Sequence, residues 1–268
     1  MKLFDSHCHL NLKNYRKDLP EVVQRAEAAG VQAMMVVGIT LEESRDAVDI
    51  AERFPGCYAS VGVHPHDADG CSDEILTALK ELAGHPKAVA WGETGLDFNR
   101  MHASRESQEK WLVKQLETAD QLNMPLIFHE RDSEGRFLEI LKAHYGSRAD
   151  SLRGVVHCFS GTAQEMQAYI EMGLYIGITG ILTIHQRGEA LRAMVREIPP
   201  ERLLIETDAP FLTPAPDKNH HRRNEPAFVK TVLLKLAEVL GEPPESLAET
   251  IWKNTCRLYG VTPPERRI

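Results

Sequence analysis

Short apolar runs of strand-forming residues alternate along the chain with longer stretches in which apolar positions recur every three to four residues. The short runs predict strands at Leu3–Asp5, Ala33–Val37, Ala59–Val63, Ala88–Trp91, Leu126–Phe128, Val155–His157, Tyr175–Ile178 and Leu203–Ile205. The periodic stretches between them predict helices at Leu19–Ala29, Glu42–Arg53, Asp73–Leu82, Glu106–Leu122, Glu134–His144, Ala163–Met172, Glu189–Val195 and Ala227–Leu240. Ser104 to Gln108 reads as a helix start, and Gly30, Gly146, Gly173 and Gly241 stand where helices should stop. A further helical pattern, Ser246–Leu258, follows as a C-terminal appendage.

Strands that alternate with helices in this way form parallel sheets, and eight such units close into a barrel more naturally than into an open sheet. The predicted fold is therefore α/β, a (β/α)8 TIM barrel with an extra C-terminal helix, in one domain spanning residues 1–268. An open doubly wound sheet is the alternative. Against it, no glycine-rich nucleotide fingerprint follows the first strand, where the residues are Asp5-Ser6-His7-Cys8-His9. A barrel also predicts where chemistry lies, because its βα loops gather at the C-terminal ends of the strands.

Composition narrows the classes. A chain of 268 residues matches the roughly 250 that one α/β barrel needs. Charge runs the other way from a nucleic-acid-binding basic surface: 31 Lys and Arg against 39 Asp and Glu leave a net charge of −8. Any nucleic-acid contact must then be local or metal-mediated. The cysteines, 5 in number and without a Cys-X-X-Cys spacing, suggest neither a disulfide framework nor a thiolate zinc site. Reduced thiols fit a cytoplasmic protein. Met1 to Asp5 lacks the apolar segment of a secretory signal, and no later stretch is apolar enough for a bilayer, so no membrane partner is expected.

Ligand-type residues recur at the same end of six predicted strands. His7 and His9 follow the first, His64 and His66 the third, Glu93 the fourth, His129 the fifth, His157 the sixth and Asp208 the eighth. In a barrel those ends form one ring. Histidines two apart on extended chain project to one side and can grip one cation, with Cys8 pointing away. Glu93 is flanked by Gly92 and Gly95, which permit close approach of backbone or substrate, and its carboxylate can bridge two cations. The competing reading makes it the salt-bridge partner of an arginine. Asp97 is a candidate acceptor behind a ligand histidine. Asp208 suits either ligation or proton abstraction from water. His64 and His66 either hold a substrate phosphate or form a solvated turn set by Pro65. Arg222, Arg223 and Asn224 form the best phosphate clamp in the chain, since guanidinium groups grip phosphate oxygens bidentately. Arg131 is a further phosphate contact. Lys218, His220 and His221 make the same loop locally basic, or are simply solvated.

Taken together, Asp5-Ser6-His7-Cys8-His9-Leu10, Gly62-Val63-His64-Pro65, Gly92-Glu93-Thr94-Gly95-Leu96-Asp97, His129-Glu130-Arg131, His157-Cys158-Phe159-Ser160-Gly161, Glu206-Thr207-Asp208-Ala209-Pro210 and Arg223-Asn224-Glu225-Pro226 resemble the TatD family of metal-dependent deoxyribonucleases. The resemblance runs over nearly the whole chain. It implies one cation held by His7, His9, Glu93 and Asp208, and a second held by Glu93, His129 and His157. It also implies a metal-dependent hydrolase of DNA, with 3′-to-5′ exonuclease action on single strands and RNA as a possible second substrate. Members close to TatD itself lack the His-X-His pair that this chain carries, which implies a fully formed two-cation site here.

The expected chemistry is hydrolysis by a metal-activated water, with Glu93 and Asp208 as the catalytic carboxylates. Two cations about 3.5–4 Å apart suit in-line phosphoryl displacement. Mg2+ or Mn2+ is the expected working metal, with Zn2+ as a further occupant of so imidazole-rich a set. A monomer is expected. A cyclic amidase or lactonase of the same barrel type is the alternative enzyme, and a non-catalytic scaffold the third class.

Overall fold

The computed structural model describes residues 1–146, 148 and 152–264. Residues 147, 149–151 and 265–268 of the expected domain lie outside them. Eight parallel strands form one sheet in sequence order: β1 (Leu3–Cys8), β2 (Val31–Val37), β3 (Cys57–Val61), β4 (Ala88–Asp97), β5 (Leu126–Arg131), β6 (Gly154–Val156), β7 (Tyr175–Ile178) and β8 (Leu203–Ile205). Helices α1 (Leu19–Ala28), α2 (Leu41–Arg53), α3 (Asp73–Leu82), α4 (Arg105–Leu122), α5 (Arg136–Tyr145), α6 (Ala163–Glu171), α7 (Glu189–Met194) and α8 (Val229–Leu240) follow the successive strands, with α1 after β1 and α8 after β8. The sheet curls until its edges meet: Cys8 bridges Ala209 in parallel, with His9 N–H donating to Ala209 O at 2.7 Å and Asp208 N–H to His7 O at 2.9 Å. This is a (β/α)8 barrel.

Local chemistry places the helix starts. Thr40, Ser72, Ser104 and Thr162 each accept a backbone N–H three residues on, and Thr162 with Glu165 completes a reciprocal capping box. A further helix, α9 (Pro244–Tyr259), packs on β1 and β8 and covers the N-terminal end of the barrel. There Leu258 and Tyr259 join an interior layer built from Phe4, Ala33, Tyr58, Ala90, Ile127, Val155, Tyr175 and Leu204. Every strand gives this layer a side chain, so the barrel is packed rather than hollow. A larger apolar shell lies between sheet and helices, and Cys8 belongs to it.

Several strands run further than the periodicity predicts. β1 continues to Cys8, β4 to Asp97 and β5 to Arg131, so His7, Glu93 and His129 lie inside strands rather than after them. Polar residues hid these extensions, because strand patterns were sought as apolar runs. The opposite correction applies to β6, which ends at Val156, one residue before His157.

Candidate metal centre

Strand alternation explains most of the site. Side chains two apart share a face, so the interior residue Ile127 aligns with His129 and Arg131, Val155 with His157, Leu204 with Glu206 and Asp208, and Tyr58 with His64 six positions on. Two strands break the rule. From Phe4 to His7 and from Ala90 to Glu93 the step is odd, and each step spans a register irregularity, between Asp5 and Cys8 and between Trp91 and Thr94. Gly92 and Gly95 permit the second: their φ values are +135° and +152°, and a Cβ on Gly95 would overlap the His129 carbonyl oxygen.

The side chains converge around Glu93, which is 2% exposed. Its Oε2 lies 3.3 Å from His7 Nε2 and 3.9 Å from His9 Nε2. These two nitrogens are 3.1 Å apart, and Asp208 Oδ1 is 3.8 Å from the first and 3.5 Å from the second. The other oxygen, Oε1, is 2.8 Å from His129 Nδ1, 3.0 Å from His157 Nε2 and 3.4 Å from His64 Nε2. His7 and His157 stack at 3.8 Å between ring centroids, so the two groups of donors adjoin.

His9, His129 and His157 each have a polar atom behind the ring, whereas His7 Nδ1 has no hydrogen-bond partner among the described residues. Val37 O accepts from His9 Nδ1 at 3.2 Å, and Asp97 Oδ2 faces His129 Nε2 at 3.2 Å, so that neutral rings donating there would offer His9 Nε2 and His129 Nδ1 to a cation. His157 Nδ1 lies 3.3 Å from Glu206 Oε1. His64 is different: its Nδ1 accepts the His66 backbone N–H at 3.0 Å, so the neutral ring carries its proton on Nε2 and faces Glu93 as a donor. Burial pushes His64 down to about 3, which keeps it neutral. Burial likewise lowers His7, with His157 adding to it. Burial alone would raise Glu93, but His157, His64 and His7 outweigh it and hold the carboxyl well below its usual range. Asp208 is also held down, since His9, His157 and His7 overcome its burial. For His157 the neighbouring Glu93 and Glu206 carboxylates overcome burial and raise it well above its ordinary value.

Would these donors fit cations? Ligands at about 2.1 Å stand roughly 3.4 Å apart around a tetrahedral ion, and about 3.0 Å apart around an octahedral one. The donor separations, 3.1–3.9 Å on the Oε2 side and 2.8–3.0 Å for the two histidines on Oε1, match that scale. Imidazole nitrogens with carboxylate oxygens are also an ordinary transition-metal donor set. His7, His9, Glu93 and Glu93, His129, His157 are each close enough to share an ion.

Not every expected contact is at the mouth. Arg223 is committed elsewhere, to Asp18 at 2.6 and 2.8 Å, Glu225 at 2.9 Å and Asn14 O at 2.6 Å. Asn224 is buried, with its amide donating to Thr207 O and Phe211 O and its Oδ1 accepting from Glu225 N–H. Asn224 has no N–H left for a phosphate, and both terminal nitrogens of Arg223 are held within the protein, so the expected clamp reduces to exposed Arg222. The carboxylates that claim Arg223 come from Asp18, 205 positions away, and from Glu225, two positions on, and the sequence pattern alone did not pair them. Arg131 is half-buried on the His129 face, and its guanidinium has no ion pair or hydrogen bond among the described residues. Asp97 also accepts from His66 Nε2 at 2.8 Å, which places His66 behind His129 rather than in solvent.

Glu206 was not singled out from the sequence. It is fully buried, accepts Cys158 N–H at 2.5 Å and Ser6 Oγ–H at 3.2 Å, and faces His157. Its position just after β8 and two before Asp208 was the available signal. A cavity of about 360 Å3 lies at the opposite end of the barrel, lined by Leu152, Ile170, Met172, Tyr175, Arg202 and Leu258, away from the histidines.

Comparison with known proteins agrees with this geometry. The family model described as TatD related DNase matches residues 4–260. The chain is 42% identical over 263 residues to the 3'-5' ssDNA/RNA exonuclease TatD of Escherichia fergusonii, covering 97% of this chain and 100% of that one. The protein of the same name from Citrobacter rodentium is 44% identical over 263 residues, covering 97% and 98%. Among solved structures, the TatD homolog YJJV from Escherichia coli K12 superposes with a TM-score of 0.87 at 30% identity, covering 97% of this chain and 98% of that one. A TatD family hydrolase from Entamoeba histolytica shares the fold at a TM-score of 0.86, with 24% identity and coverage of 97% and 98%. The chain belongs to the TatD-related DNase family.

Proposed function

We propose that this protein is a divalent-cation-dependent 3′-to-5′ exonuclease acting on single-stranded DNA and RNA, as a cytoplasmic monomer with two cations at the barrel mouth. The observation that carries the reading is the division of Glu93, one oxygen toward His7 and His9, which Asp208 also approaches, and the other toward His129 and His157. His7, His9, Glu93 and Asp208 would hold one cation and Glu93, His129 and His157 the second, with Mg2+ or Mn2+ as the working metal. When bound, the cations would supply Lewis acidity and a lowered water pKa.

The chain's own groups do the rest. Asp208 is held ionised and its side chain is 13% exposed, so it takes the proton from the attacking water at the rim of the site. The water oxygen forms the new bond to phosphorus as the phosphodiester P–O bond breaks, and the proton passes from Asp208 to the departing oxygen. Arg131, whose guanidinium has no partner among the described residues, donates to the nonbridging oxygens, while His64 Nε2–H steadies the Glu93 carboxylate. Exposed Lys218, His220, His221 and Arg222, on the segment that follows Asp208, offset the net charge of −8 where the strand enters.

The test uses protein stripped with chelator and reloaded with Mg2+ or Mn2+, on single strands labelled at either end, beside bis-p-nitrophenyl phosphate and dihydroorotate. Stepwise shortening from the 3′ end, lost in Glu93→Gln, is expected. Hydrolysis of dihydroorotate alone would replace the nuclease with a cyclic amidase. Full activity in Glu93→Gln would remove the two-cation arrangement.

A further inference from the structure

Among the described residues the exposed large apolar side chains are Met1, Met101, Leu122, Phe211 and Leu234, and Phe211, 52% exposed, is the most exposed and the only ring. It is also at the mouth. Its ring centroid is 6.2 Å from that of His9, with 69° between the planes, so the edge contact with His9 leaves a face open. Two residues behind the ring is Ala209, whose bridge to Cys8 closes the barrel.

The backbone under this ring is fixed. Phe211 N–H donates to Asp208 O at 2.8 Å, and Asn224 Nδ2 reaches both Phe211 O at 2.5 Å and Thr207 O at 2.9 Å. Asn224 N–H in turn donates to Pro210 O at 3.2 Å. The buried Asn224, expected from the sequence to touch phosphate, instead clamps the segment that presents Phe211. An apolar ring held rigidly in water beside candidate ligands has surface to bury and only its two side-chain torsions to fix when something covers it.

We infer that Phe211 is a nucleobase subsite, stacking the base of a nucleotide that flanks the scissile phosphate. This rests on the exonuclease reading and gives it a substrate determinant. Every base has a π face, so an aromatic platform binds strands without selecting sequence. Such a platform also favours single strands, since a base must leave its duplex stack to lie on it. The phosphate beside that base then faces Asp208, three residues from Phe211 in the chain.

The experiment compares wild type, Phe211→Ala and Phe211→Trp on single strands carrying normal nucleotides, or an abasic residue at the 3′-terminal or the penultimate position. Cleavage is read as kcat/KM, and binding by fluorescence anisotropy with Ca2+ in place of the working metal. On intact strands Phe211→Ala should lose roughly 10- to 100-fold, mainly in KM, with Phe211→Trp restoring it. With one of the two abasic strands that loss should shrink to about twofold or less. Equal loss on all strands, or no loss on any, would overturn the subsite while leaving the exonuclease standing. A wild-type protein that neither binds nor shortens single strands would overturn both. Mn2+ affinity, measured by calorimetry, should be equal in Phe211→Ala and wild type; a drop would mean that the ring acts through His9.

Discussion

Behind His129 stands a carboxylate that works harder than one hydrogen bond requires. Asp97 Oδ2 takes both His129 Nε2 and His66 Nε2, while its Oδ1 accepts Asn99 N–H at 3.0 Å and Arg100 N–H at 2.8 Å. Against the cost of its burial, the hydrogen bonds from His129 and His66 hold Asp97 far below the usual carboxylate range. An ionised acceptor fixed by its own turn keeps the proton of His129 on Nε2 and the lone pair of Nδ1 toward Glu93. Asp97→Asn keeps the size and removes the charge, so Mn2+ affinity by calorimetry should fall about 10- to 100-fold with little change in melting temperature. Unchanged affinity would reduce Asp97 to a turn residue.

Elements are tied together by ion pairs that the sequence had suggested for substrate. Arg223 and Arg25 both reach Asp18 and Glu225, joining the start and body of α1 to the segment just before α8. The Asp18 and Arg223 side chains are 36% and 27% exposed, so solvent screens them and the network is worth on the order of 1 kcal/mol. Arg223→Ala should therefore lower the melting temperature by about 2–4 °C and leave the KM for short strands near wild type. A large rise in KM with an unchanged melting temperature would return Arg223 to the substrate. The same network fixes a pH response. Burial would raise Glu225, but Arg25 and Arg223 hold it below its ordinary value of 4.5. A lowered folded value means that its stabilisation is complete above 4.5 and is lost as pH falls through the lower, folded value. Glu225→Gln should flatten this acid limb of the melting curve; an identical acid limb in the variant would show that the pair contributes nothing.

For the molecule as a whole, closing the barrel and assembling the site are one event. The hydrogen bonds between His7 O and Asp208 N–H and between His9 N–H and Ala209 O join the first strand to the segment after the last, and the same contacts bring His7, His9 and Asp208 together. Cations that bind only this closed arrangement stabilise it by mass action, by about 2.7 kcal/mol at a hundred times the dissociation constant. Chelation should accordingly lower the melting temperature, and returning Mn2+ should raise it by roughly 5–10 °C. Melting that ignores both treatments would mean that the donors meet without holding ions.

The sequence by itself determined the order and kind of the elements, since periods of two and of three to four residues are local properties of the chain. It also made candidate residues such as His129 and His157 legible, because a side chain two places beyond a buried interior residue faces the barrel mouth. Alternation could not place His7 and Glu93, whose strands each shift register before the ligand. It could not tell that Arg223 and Asn224 are occupied within the protein, nor that Glu206 stands behind His157, nor that Phe211 is held out in water. Those facts depend on partners as far as 209 positions away, and only the closed fold makes them neighbours.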